Sequence, residues 1–436
     1  MKLRMNLGSE GGPVSPKLVT RLASEGGFTI IEMLVAAMIM MAVTGAVFQL
    51  MNPAQGIFKA QPEVSDEQQR LRVGVETLRG DIVMAGAGSY MGSTAGSLYN
   101  YFAPVMPYRS GDVNDDPSQG VFYRDDTISL LYVPPTPAQT TGAPIGNNSE
   151  EIEVAGQFNC TTAGGNTKKG TICGFKAGMR VLLMDNTSEW ETTTLTNIQD
   201  SALHLQHSGK LLNEYPDGMT ITQVKTATYY LKADKTSNTY QLMFYDGYQT
   251  DLPIVDNVVK LKFEYFGEPQ PPRMLPPGPN NCLTSECTGP WTTYGPKPPD
   301  AATDLFSGDE YGSGENCVFT MASGALAPRL DVLGDGSSPV KLTSAMLTDG
   351  PWCPNATSPN RYDADLLRVR RVRVTMRVQV GLDSLRGPAG VLFTNGGTST
   401  SAQRYVPDQE ISFERRYAAA PSPSSRRGPR RASGER

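Results

Sequence analysis

Glu32 is the side chain with the most chemistry to account for. It is the only charged residue between Phe28 and Met51, in a run that is otherwise almost wholly apolar. A charged group at the centre of a membrane costs about 2.5–3.5 kcal/mol, and less near its edge. A lone acid in the first turn of such a segment is therefore best read as a functional group awaiting a partner. The small residues Gly26 and Gly27 precede the apolar core, whereas a secretory signal peptide carries its small-residue cleavage site after the core. The residues just beyond Met51 (Asn52, Pro53, Ala54, Gln55) offer no such site.

Other chemistry-bearing groups are weaker. Cys160, Cys173, Cys282, Cys287, Cys317 and Cys353 all lie beyond the apolar run. No Cys-x-x-Cys pair occurs and the chain has only two histidines, so a zinc site is poorly supplied and no metal is expected. An even number of cysteines suits disulfides in a periplasmic or extracellular setting, with buried free thiols as the alternative. Cys160 and Cys173 bracket a polar loop and are expected to pair. The other four can pair in three ways, of which Cys282–Cys287 and Cys317–Cys353 are closest in sequence. His204 and His207 are three residues apart on a predicted strand, an offset that sends the rings to opposite faces. Asp112-Val-Asn-Asp-Asp116 opens like a calcium loop, but Pro117 stands where that loop needs glycine and no glutamate occupies the twelfth position. No Gly-x-Ser-x-Gly, phosphate-binding loop or zinc helix is present, so the chain is not read as an enzyme and no cofactor is expected. The formal net charge of -5 argues against any global affinity for nucleic acid. Arg371, Arg373 and Arg377 read as the solvated face of a strand, facing acids such as Glu264, rather than as a nucleic-acid stripe.

Several elements must position these groups. Residues 1–27 form a polar leader with Lys2, Arg4, Lys17 and Arg21 against Glu10 and Glu25, a balance that holds it in the cytoplasm. Residues 28–51 as a helix reach about 36 Å, enough to cross a hydrocarbon core of about 30 Å. Residues 52–88 continue as an amphipathic helix with Val64, Leu71, Val75, Leu78 and Ile82 on one stripe, with a kink or break at Pro53 and Gly56 and a restart at Pro62. The helix is expected to end near Ala85-Gly86. Residues 89–266 read as a β-rich head, with strands at Thr127–Val133, 151–155, 180–184, 192–198, 203–206, 219–224, 227–231 and 240–245. Over 257–266, Val259, Leu261, Phe263 and Tyr265 alternate with Lys260, Lys262 and Glu264. Residues 267–364 are Pro/Gly-rich, hold four cysteines with Trp291 and Trp352, and read as an insertion with its own staples. Residues 365–414 return to strand. Val372, Val374, Met376, Val378 and Val380 share one face, and a bulge near Arg370-Arg371 reconciles them with Leu367 and Val369. A short strand is expected at 410–413 and a disordered basic tail from Arg415.

Gly26-Gly-Phe-Thr-Ile-Ile-Glu32 and the apolar run behind it resemble the class III signal of type IV prepilins and of the pseudopilins of type II secretion. The resemblance implies cleavage by a prepilin peptidase between Gly27 and Phe28 and N-methylation of Phe28. Glu32 then becomes the fifth residue of the mature chain, where it sets assembly register by neutralising the α-amine of a neighbouring subunit. Ile30, Ile31, Leu34, Val35, Met38 and Ile39 exchange lipid for other pilin helices. Two weaker stretches, Leu78-Arg-Gly-Asp-Ile-Val-Met-Ala-Gly-Ala-Gly and the pair 258–266 with 367–380, are similar to the PilW group of minor pilins and to J-type minor pseudopilins. The implied fold is α+β, a long N-terminal helix, half in the membrane and half amphipathic, packed on an antiparallel β-sheet head. The implied protein is single-pass in the bacterial inner membrane with a periplasmic head, passing later to a pilus or pseudopilus. Its implied partners are the peptidase, other minor and major pilins, the assembly platform and membrane lipid, with no nucleic acid. A membrane-anchored periplasmic enzyme or adhesin is the alternative from another class. The long leader, Glu25 beside the cut, and Pro53 lying four residues beyond the proline of major pilins are departures from the pattern.

Overall fold

A computed structural model describes residues 28–88, 97–110, 123–134, 138–149, 151–155, 160–161, 167–168, 172, 174–185, 188–234, 239–274, 292–299, 310–382, 385–386 and 406–416. The leader, Asp112–Asp116, Cys173, Cys282, Cys287, Trp291, the side chain of Cys160 and the chain beyond Arg416 lie outside them. The fold is mixed α+β, an N-terminal apolar helix followed by several antiparallel sheets. Two compact units divide it, Met1–Phe58 and Lys59–Arg436.

The helix runs over Ile30–Met84. It is helical through Pro53, Gly56 and Pro62, so the expected break and restart do not occur. A proline inside a helix forfeits one N–H bond, and the ladder on either side carries the element on. Its end at Met84 agrees with the expected stop, and Gly86 follows with a positive φ that suits a helix C-terminus.

In the second unit, a five-stranded sheet runs in the order Val105–Met106, Thr127–Tyr132, Lys225–Asp234, Thr239–Tyr245 and Asp251–Asp256. A four-stranded sheet runs Val340–Leu342, Val258–Gly267, Val369–Val378 and Gln409–Arg416. Both feed one core with the last turns of the helix: Leu78 and Ile82 are fully buried in the same cluster as Leu130, Tyr229, Phe263 and Val374. The helix backbone comes close at Gly74, where a Cβ would lie 2.7 Å from Met376 Cε.

The six-stranded sheet, in the order 138–140, 220–223, 180–184, 190–199, 204–207 and 151–153, has a second core of its own around Ile152, Leu195, Leu205 and Ile221. Strand Arg180–Met184 serves both cores. Val181 and Leu183 face the second, Leu182 and Met184 the first. Its unbroken Val-Leu-Leu-Met run follows from burial on both faces.

Three expectations need amendment. Val258, not Val259, is the buried residue at the start of its strand, because the register shifts between Val258 and Lys260. Residues 364–368 are a short 3-10 turn rather than strand, started by the Asp363 side chain accepting the Asp365 N–H. The last strand runs to Arg416, so Arg415 and Arg416 are ordered strand residues rather than tail. The expected bulge is present: Phe266 pairs with Arg371 and Gly267 with Val369, which leaves Arg370 extra. The described parts of 267–364 contribute to the main core through Tyr294, Phe319 and Leu342. Cys317 and Cys353 are bonded within it.

Two buried acids on the helix carry polar contacts in this unit. Asp81 accepts hydrogen bonds from the hydroxyls of Tyr132 (2.9 Å) and Tyr229 (2.7 Å) and from Lys225 Nζ (3.3 Å). Glu67 is fully buried, and its Oε1 accepts the Gln409 N–H at 3.0 Å. One turn earlier, Glu63 accepts the Gly381 N–H at 3.0 Å. Burial pushes Glu67 up to about 7, aided by the Asp408 and Glu63 carboxylates and opposed by the Gln409 N–H and Arg70.

Truncating Ile82 to Ala should destabilise the second unit by about 2–5 kcal/mol, by lost transfer energy plus the cavity left behind. Urea denaturation of the full chain in non-ionic detergent measures this, and a loss under about 1 kcal/mol would contradict its core placement. For Glu67 the sign follows from its raised value. Below its ordinary value of 4.5 both folded and unfolded chains hold the proton, while between there and about 7 only the folded chain does. Stability therefore falls as pH rises through that window. Glu67→Gln keeps an acceptor for Gln409 and should gain on the wild type steadily from pH 4.5 to above 7, in a comparison of denaturation midpoints. A difference independent of pH would show that Glu67 does not titrate there.

Candidate functional site

The residues singled out for processing and assembly lie where the helix begins. Phe28 and Thr29 precede the first turn, and Phe28 is 91% exposed. Gly27 lies outside the described residues. Thr29 and Glu32 close a reciprocal pair. Glu32 Oε2 accepts both the Thr29 N–H (3.0 Å) and the Thr29 hydroxyl (3.1 Å), and the Glu32 N–H donates to Thr29 Oγ1 at 3.4 Å. The Met33 N–H bonds the Thr29 carbonyl at 3.2 Å. This is a capping box, which satisfies donors that a helix start leaves orphaned. A reading of Glu32 as a charge alone misses this role, although Thr-Ile-Ile-Glu carries the Thr-x-x-Glu signal openly. Among the described residues both contacts fall on Oε2, so Oε1 is open to a further donor.

Behind the cap, Ile30, Ile31, Leu34, Val35, Met38 and Ile39 are all exposed. The span Ile30–Met51 has 22 residues, reaches about 33 Å at 1.5 Å per residue, and is apolar and unburied. By length and composition it could be a membrane anchor or a signal sequence.

Elsewhere the polar groups are structural. His204 Nδ1 lies 3.1 Å from Glu151, while His207 is buried from the opposite face of its strand. The ligand oxygens of Asp349, Asp363 and Asp365 lie within 4.8 Å of one another, the described cluster closest to a cation site. Two of its three carboxylates are already engaged: Asp363 accepts the N–H groups of Gly350 (2.7 Å) and Asp365 (2.9 Å), and Asp365 pairs with the buried Arg368 at 2.5 Å. Burial pushes Asp363 up to about 7 and Asp365 to about 6. A cleft of about 510 Å³ beside strand Val258–Gly267 is lined by Arg124, Lys262 and Lys341 against Asp125, Asp126 and Glu264. Such mixed charge differs from the mostly apolar wall of a small-molecule pocket. No protein-family model matches the chain, and no curated protein matches it.

Thr29→Val removes the hydroxyl from the cap and should weaken the first turn by about 0.5–2 kcal/mol. Amide exchange at Ile30–Met33 in detergent micelles should quicken roughly 2- to 30-fold. Unchanged exchange there would mean that the box does not hold the turn.

Proposed function

We propose that this chain is a prepilin-like subunit, a PilW-type minor pilin that is cut between Gly27 and Phe28 and methylated at Phe28. It starts or caps a type IV pilus as a structural and interaction protein. The observation that carries this reading is the placement of Phe28 and Glu32 at the exposed start of an apolar helix whose last turns lie in the core of a β-rich unit. In this reading the helix is the stem of a pilin and the sheets are its head.

Cleavage turns Phe28 into a cationic terminus at the membrane edge. Glu32 of a neighbouring subunit is the anion that answers it, and the low dielectric there makes the attraction strong. Desolvation opposes a pair that is only half satisfied. The Thr29 contacts to Oε2 matter for that reason, since they hold the carboxylate in place and leave Oε1 for the incoming amine. The exposed face of Ile30, Leu34 and Met38 then trades lipid for neighbouring helices. A J-type minor pseudopilin would use the same residues and differ only in the fibre that receives it.

The test is intact mass and N-terminal sequencing of membrane-extracted protein from cells with and without prepilin peptidase. A start at N-methylated Phe28, lost without the peptidase, is expected. A chain that still begins at Met1 in both strains would overturn the proposal. Glu32→Val should leave cutting intact while abolishing recovery of the subunit in sheared fibres.

A further inference from the structure

Glu63 and Glu67 stand four residues apart, so the helix sets two acids on one face, with Ala60 and Val64 beside them. Like charges at that spacing repel each other. The face is nonetheless covered, by residues 380–382 and 406–409. We propose that Glu67 is a proton-operated latch. Protonated, it keeps these two segments closed on helix residues 60–67; ionised, it lets them part from the helix while the sheets stay paired.

The contacts that close the latch are few. Glu63 Oε2 accepts the N–H groups of Gly381 (3.0 Å) and Leu382 (3.3 Å), and Glu67 Oε1 accepts that of Gln409 (3.0 Å). Val380, Leu385 and Val406 are buried with Ala60 and Val64 packed against them, in a cluster separate from the main core. The approach is close: a Cβ on Gly381 would lie 3.3 Å from Glu63 Oε2 and 3.5 Å from Arg70 Nη2. Three buried apolar side chains make a thin seam beside the main core, which joins two sheets to Leu78 and Ile82. Proteins open locally where such contacts are few.

Glu67 suits the closed seam as a neutral acid. It is fully buried, and its Oε2 has no hydrogen-bond partner among the described residues. One N–H donor is poor compensation for a buried carboxylate, whereas the protonated group keeps that acceptor and sheds the charge. The neighbours favour the proton too. On the helix, Glu63 lies one turn before Glu67, and Arg70 pairs with Asp66. On the facing side, Asp408 pairs with Arg377 at 3.7 Å, and Arg386 donates to the carbonyls of Val380 and Gly381 and to Asn257 Oδ1. Each of these cations thus has a partner other than Glu67. Burial, with the Asp408 and Glu63 carboxylates, pushes Glu67 up to about 7 against the Gln409 N–H and Arg70. Burial raises Asp408 as well, against Arg377 and Arg386.

Freed from the seam, Glu67 returns to its ordinary value of 4.5. Below that value both closed and open forms hold the proton, and pH does not act on the latch. From there to about 7 the closed form alone holds it. Each unit rise in pH therefore favours opening by up to about tenfold in that window. Above about 7 both forms are ionised and the dependence ends.

The test is amide exchange of the full chain in non-ionic detergent from about pH 5 to about pH 8, each rate divided by its intrinsic value at that pH. Protection of Gly381, Leu382 and Gln409 is expected to fall roughly 10- to 100-fold, while that of strand Val258–Gly267 holds. Glu67→Gln keeps an acceptor for Gln409 and cannot ionise, so its protection should stay level. Asp408→Asn removes a carboxylate that helps to hold the proton on Glu67. Its fall should be smaller and end at a lower pH, which keeps the test decisive if the glutamine variant does not fold. Level protection in the wild type would overturn the proposal, as would an equal fall in Glu67→Gln or an unchanged one in Asp408→Asn. A fall shared by Val258–Gly267 would also overturn it, by showing that the whole unit loosens rather than the seam.

Discussion

Asp81 joins three elements that are far apart in sequence. Its carboxylate receives the phenols of Tyr132 and Tyr229 on neighbouring strands, and the Lys225 ammonium at the head of the second strand. Buried polar groups are tolerable only when paired, and this one set pairs an acid and two hydroxyls at once. Removing the acid would leave both hydroxyls to find new partners in a dry site, which costs more than the bonds themselves. The electrostatics agree. Burial together with the Asp81 charge raises the Tyr229 phenol, and the same two causes raise Tyr132. The last turn of the helix is thus fixed in rotation as well as in depth, and Leu78 and Ile82 point into the core because Asp81 has a prescribed place to go.

Glu63 and Glu67 serve a different segment in the same manner. They accept main-chain N–H groups from Gly381 and Gln409, two points that flank the stretch between the last two strands of the four-stranded sheet. Over one turn of helix the acids bond backbone, and further along Asp81 bonds side chains. The apolar half of the helix before Met51 carries no comparable acid beyond Glu32, whose carboxylate is turned back on its own first turn. The division between a polar-anchored half and an apolar exposed half follows directly from where the acids fall in the sequence.

Local periodicity made much of this fold legible. Strand Arg180–Met184 was readable at both of its ends, and the phase change before Val372 announced the extra residue Arg370. The opposite-face placement of His204 and His207 followed from strand geometry alone. What escaped was non-local. The alternation of 257–266 gives no hint that pairing shifts at Val258, because that shift is set by the partner strand. Nor does a Pro/Gly-rich composition reveal that Val340–Leu342 pairs with Val258–Gly267, since three residues are too few to show a period. The two-sided burial of Val181 to Met184 reads from sequence only as an apolar run. At the candidate site the charge of Glu32 was legible and its bond to Thr29 was missed, although that bond is the more local of the two.

The six-stranded sheet is spliced between two strands, Thr127–Tyr132 and Lys225–Asp234, that are themselves hydrogen-bonded neighbours. Its points of departure and return are therefore about 5 Å apart, a single interstrand spacing. A short hairpin could bridge that gap, so in topological terms the whole module is a detachable graft. In packing terms it is not. Leu182, Met184 and Trp190 belong to the host core, with the indole stacked 4.8 Å from the ring of Phe102. A lineage that lost the module would keep its strand order and acquire an apolar wound, so excision would demand compensating substitutions at Phe102 and its neighbours. The short gap makes such a module simple to splice in, and the shared strand makes it hard to remove.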